Sequence, residues 1–226
     1  DTLGMHDGAL AGDTSFGPGI AGGADQALLL TGTGHVQLGG VVDFEFNSGR
    51  GTVEAWVRAD WSATSPPPFS PCLFGNRNAE SARWSVHLAQ TKDQLVVYNG
   101  ANVASAFIPN AGTNWHHFAA VFDNGNWLVY WDGARFGTLA LPLGTVTGLP
   151  TQIGSASALT TTEGWRGALD EVAFYSDILT PDQVVSRARF FTVEEPIQEV
   201  RNGSFELTEG NSLIPPAPAF DIFKPV

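Results

Sequence analysis

The sequence predicts an all-β protein: two antiparallel sheets packed as a jelly-roll sandwich, one short C-terminal helix and an extended tail. Three observations carry this. Gly and Pro supply 26 and 14 of the 226 residues, which sets turns at short intervals and leaves little room for long helices. Apolar residues make up 43% of the chain, enough for one substantial core. The apolar runs between the turns are short, and several alternate in the strand period of two.

Ala27–Thr31 reads as a first strand, Gly32-Thr33-Gly34 as a tight turn and His35–Leu38 as a second strand. Thr52–Arg58 alternates, with Val53, Ala55 and Val57 on one face and Glu54, Trp56 and Arg58 on the other. Ser62–Pro71 holds three consecutive prolines and cannot pair within a sheet centre. Trp84–Leu88 and Gln94–Tyr98 are further strands. His116–Phe122 and Asn126–Trp131 flank Asp123-Asn124-Gly125 as a hairpin, because Asn and Gly tolerate positive φ. Gly167–Tyr175 is a late strand. Thr180 caps a helix, with Pro181 in its first turn and Gln183 closing a capping box, and the helix is predicted to end near Arg189. The domain is predicted to span residues 1–191. Residues 192–226, rich in proline, read as an extended arm or a linker to a further module.

Charge narrows the partners. The formal net charge is −12, with 11 Lys and Arg against 23 Asp and Glu, so a nucleic-acid partner is not expected. No run of apolar residues is long enough for a membrane-spanning helix. Cys72 is the single cysteine and closes no intrachain disulfide. The acidic, Lys-poor, Gly-rich composition suits a secreted module, placed outside the cell or at its surface.

The order of five segments resembles the laminin-G-like group of concanavalin A-like jelly rolls. They are Asp1–Gly12, Gly51–Asp60, Asn114–Phe122 with Trp127–Gly133, Trp165–Tyr175, and Leu179–Val184. The resemblance covers roughly residues 1–190. It implies one concave and one convex sheet, and it leaves function open, because the fold hosts lectins, enzymes and adhesion modules.

Catalysis is not expected. Glycosidases of this architecture carry a Glu-x-Asp-x-x-Glu or Glu-x-Asp-x-Glu run, and none occurs here. Asp170 and Glu171 are adjacent on a strand, which should send them to opposite faces. His116 and His117 are expected to diverge for the same reason and to hold no metal.

The resemblance implies a structural Ca²⁺ tying the opening loop to the closing strand. Asp170 is the matching carboxylate, and Asp1 with carbonyls near Gly4, Gly32 and Gly34 would complete an oxygen shell. The alternative is that Asp170 caps backbone amides of that loop without metal. For a glycan, the sequence reading selects Trp61 beside the proline loop, Trp56 in polar company, and Trp84 at a strand start, as aromatic surfaces for sugar rings. The expected function is therefore a non-catalytic recognition module for a glycan or cell-surface polymer. The competing expectation is a structural subunit that self-associates through Ile214, Phe220, Ile222 and Phe223 of the arm.

Overall fold

A computed structural model of the chain describes residues 7–38, 42–78, 80–155 and 162–191. Sheet A has the order β1 (Ala9–Ala11), β4 (His35–Leu38), β13 (Thr151–Ile153), β6 (Cys72–Arg77), β7 (Ala82–Leu88), β8 (Gln94–Tyr98) and β9 (Val103–Phe107). Sheet B has the order β12 (Ala134–Ala140), β11 (Asn126–Trp131), β10 (Trp115–Asp123), β5 (Arg50–Ala59), β14 (Arg166–Tyr175), β3 (Gln26–Thr31) and β2 (Thr14–Pro18). All neighbouring strands run antiparallel. The expected all-β sandwich is the fold. Ala27–Thr31 belongs to the third strand rather than the first, because Ala9–Ala11 and Thr14–Pro18 also pair. Those two segments are short and largely exposed, so they carry no apolar alternation to read.

Alternation decides which side chains fill the space between the sheets. Phe74, Trp84, Val86, Leu88, Leu95 and Val97 point inward from sheet A. Val53, Ala55, Val57, Phe118, Trp127, Val129 and Trp131 meet them from sheet B. Phe46 stacks on Trp84 at 5.2 Å between ring centroids. Six of the seven tryptophans are buried, Trp115 being the exception.

The outer face of sheet B is also covered, by α1 (Pro181–Arg189). Thr180 and Gln183 form the expected capping box, with Pro181 in the first turn. Leu179 and Val184 pack on Ala119, Val121 and Tyr130 as a second, smaller core. Beneath the helix Glu54 is buried. Its Oε1 accepts hydrogen bonds from Tyr175 Oη and from Arg187 Nη1, each at 2.7 Å. His117 Nε2 lies 3.4 Å from Oε2. A polar strand position therefore becomes the tie between sheet and helix.

Among the described residues, no helix lies over the outer face of sheet A. His87, Val96, Tyr98 and Val103 alternate with the core residues of β7, β8 and β9 and so stand on this face.

Candidate functional site

A hollow of about 320 Å³ lies on the outer face of sheet A. Arg77, His87, Val96, Tyr98 and Val103 line it from β6 to β9, with Phe69, Ser70 and Glu163 from loops. The strands deliver these side chains in register: His87 pairs with Val96, and Tyr98 with Val103. Arg77, three residues beyond inward-facing Phe74 on β6, falls on the same outer face.

The guanidinium of Arg77 lies 5.2 Å from the centre of the Tyr98 ring, and its Nη1 is 3.2 Å from Glu163 Oε2. Its Nε is buried without a hydrogen-bond partner. Two nearby polar groups in the same sheet, Asn76 Oδ1 and Gln152 Oε1, are also buried without one. Buried donors and acceptors in this state are uncommon in folded proteins. His87 is held between Ser85 Oγ at 2.9 Å and the carbonyl of Ser70 at 3.0 Å. Since a carbonyl only accepts, Nδ1 carries the proton and Nε2 accepts from Ser85. Burial lowers the His87 pKa to about 4, so the ring is uncharged at neutral pH. The hollow thus combines an aromatic ring, the exposed ring of Phe69 and a charge pair that nearly cancels.

A second cluster sits at the other sheet. The carboxylates of Asp25, Asp170 and Glu171 offer oxygens within 4.8 Å of one another. The expectation that Asp170 and Glu171 diverge is wrong. The β14–β5 register shifts between Asp170 and Ala173, and Glu171 adopts φ 49°, so a β-bulge brings both carboxylates to one side. Asp170 accepts backbone N–H bonds from Ile20 at 2.8 Å and Glu171 at 2.9 Å. Asp25 was missed in the sequence because 145 residues separate it from Asp170. It accepts from Ala21 N at 2.9 Å. Gly19 backs the cradle: a Cβ there would run into Oδ2 of both Asp25 and Asp170. Burial raises the Asp170 pKa, with the Asp25 charge adding to it against the two backbone bonds. Glu171 is raised by burial and by Asp170. An oxygen-only donor set with mutually repelling carboxylates fits a hard divalent cation.

Gly32 and Gly34 do not join this cluster. They follow the far end of the six-residue strand β3, about 20 Å from Asp25 by strand rise. Gly32 packs against Arg166, and Gly34 against the carbonyl of Asp13. Asp1 and Gly4 lie outside the described residues, as do Ile214, Phe220, Ile222 and Phe223.

The three tryptophans selected from sequence are not exposed surfaces. Trp84 is fully buried in the main core, with Nε1 donating to Phe44 O. Trp56 is 3% exposed, edge-on to His117 and Phe191, because α1 and its C-terminal turn cover that face. Trp61 is also 3% exposed. It borders a larger cavity of about 500 Å³ with Pro66, Gln90, Lys92 and Asn110. The polar groups there bind the loops to one another. Trp61 Nε1 donates to Gln90 O, and Lys92 Nζ donates to the carbonyls of Ala59 and Gly112. Asn110 uses both ends of its amide on Thr91 O and Gly112 N.

Residues 30–185 match the profile of the concanavalin A-like lectin/glucanases superfamily. The chain belongs to that superfamily. Solved structures share its sandwich. Domain 4 of an extracellular arabinanase from Geobacillus stearothermophilus, in complex with arabinotriose, is 22% identical. That match covers 80% of this chain and 87% of that one, with a TM-score of 0.57. The binding domain of paraclostridial mosquitocidal protein 1 and the receptor-binding domain of botulinum neurotoxin type G are each 12% identical, each with a TM-score of 0.58. Each covers 80% of this chain, which spans about half of either toxin domain. No curated protein matches the sequence. Among the described residues, no helix of this superfamily member is long and apolar enough to cross a membrane.

Proposed function

We propose that this chain is a non-catalytic carbohydrate-binding module acting outside the cell, with a glycan seated in the hollow on the outer face of sheet A. The observation that carries this reading is the convergence there of the Tyr98 ring, the Arg77–Glu163 pair and exposed Phe69. Sugar rings present an apolar face for stacking and hydroxyls for hydrogen bonds. Arg77 offers donors, Glu163 offers acceptors, and both are held by sheet and loop. The arabinanase domain in complex with arabinotriose supports a glycan ligand. The test is affinity electrophoresis through a panel of neutral polysaccharides. Tyr98→Ala is expected to weaken retention roughly tenfold, equivalent to about 1.4 kcal/mol, and a melting curve checks that the variant is folded at the assay temperature. A parent protein that no polysaccharide retards would end this reading.

Asp25, Asp170 and Glu171 are proposed to hold a structural Ca²⁺ that fixes the Gly19–Asp25 loop to β14. A ligand that binds only the folded state raises its stability. Excess EDTA is expected to lower the melting temperature by several degrees, and Asp170→Asn to remove that sensitivity. An identical melting curve with and without chelator, in protein free of metal by elemental analysis, would show that the cluster holds no cation.

A further inference from the structure

Strand β9 closes sheet A at one edge and carries two large apolar side chains that the core does not use. Val103 is 62% exposed and Phe107 is 71% exposed. Val103, Ser105 and Phe107 share one face, because β9 pairs with β8 in an unbroken register from Val103 to Phe107. Val103 lines the hollow, so Phe107 stands on the same face as Tyr98. Phe107 is four residue steps along the strand from Val103, about 13 Å. Ser105, opposite Val96, lies along the way, and Gln94 stands beside Phe107 as its cross-strand partner. The face therefore runs from an aromatic and polar end, past the Ser105 hydroxyl, to the exposed ring of Phe107 with the Gln94 amide beside it. That distance exceeds a single sugar ring.

We propose that this face binds an extended, uncharged polysaccharide chain, with Tyr98 and Phe69 as one stacking surface and Phe107 as a distal one. The proposal rests on the reading of the hollow given above. Charge selects the occupant. The chain carries −12 overall and would repel a polyanion. Arg77, the cation of the hollow, is already paired with Glu163, so an anionic polymer finds no free positive charge among the residues lining it. A neutral polymer meets no such penalty, and its repeated sugar faces match aromatic rings set apart along one sheet.

The test is isothermal titration of the parent, Phe107→Ala, Phe107→Trp and Tyr98→Ala with neutral arabinan- and glucan-derived oligosaccharides graded by length. Phe107 is on the surface, so its variants should fold, and a melting curve checks each. Affinity of the parent should rise with length until the oligomer spans both ends. Phe107→Ala should weaken long oligomers roughly tenfold, leave the shortest binders within twofold, and flatten the length dependence. Phe107→Trp should retain it. Tyr98→Ala should weaken short and long oligomers alike. Affinity independent of length, or long-chain affinity unchanged by Phe107→Ala, would overturn the extended site while leaving the hollow intact. Binding of an anionic but not a neutral polymer, or of a protein at the β9 edge, would overturn the choice of ligand. Failure of every oligomer to bind would instead remove the underlying reading.

Discussion

Glu54→Ala is expected to destabilise the domain by about 1 to 3 kcal/mol, the range for leaving a buried hydrogen-bonding group without its partner. Its side chain is 4% exposed and Arg187 is 20% exposed. Without the carboxylate, Arg187 keeps its charge under the helix, and Tyr175 Oη loses its acceptor. Burial and the nearby Glu54 charge also push the Tyr175 phenol well above its ordinary range. Glu54→Gln preserves volume and an acceptor but not the charge, so its loss should be smaller. Urea unfolding of both variants checks the order. Hydrogen exchange should locate the damage first in α1, which the Arg187 contact anchors. A loss below about 1 kcal/mol for Glu54→Ala would mean the cluster fills space without fastening the helix.

Acid should weaken the fold through His87. Its folded pKa of about 4 lies below the value of about 6.5 expected in the unfolded chain. Above pH 6.5 the ring is neutral in both states and the term is absent. Below it the unfolded chain takes a proton that the folded protein refuses, so stability falls as pH drops towards 4. The full fall is on the order of 3 kcal/mol. Burial lowers His35 as well, in the same direction. His116 acts the other way: burial lowers it, but the hydrogen bond and charge of Asp132 outweigh that and raise it. Asp170 and Glu171 are raised, so they favour the folded state as pH enters the carboxylate range. The His87 loss should therefore begin first. Urea midpoints compared at pH 7 and pH 5 should separate strongly for the parent and much less for His87→Gln. Equal separation in both proteins would refute this assignment.

The strands, the central hairpin and the helix cap could be read because each signal is local. Asp123-Asn124-Gly125 needs only its own dihedral preferences, with Asn124 at φ 45° and Gly125 at φ 88°. Thr180 and Gln183 need only each other. The site was hidden because it is assembled from distant segments. Arg77, Tyr98 and Glu163 occupy three separate stretches, and no spacing rule joins them. Tryptophan misled for a related reason. The alternation of β5 correctly set Trp56 with Glu54 and Arg58, but it could not show that a helix more than a hundred residues later would cover Trp56. The grouping of the three carboxylates was hidden by one residue of geometry, since a bulge reverses the parity on which the divergence of Asp170 and Glu171 depended.

The six enclosed indoles make the protein's own fluorescence a selective reporter. Trp84, Trp127 and Trp165 are sealed from solvent, so their emission should be blue-shifted and hard for iodide or acrylamide to quench. Unfolding would expose them together and move the spectrum sharply. A glycan on the outer face of sheet A would meet Tyr98 and phenylalanines instead, and pass almost unseen by indole emission. Ligand must therefore be followed by heat, mobility or isotope labels, while the intrinsic glow keeps watch over the fold beneath it.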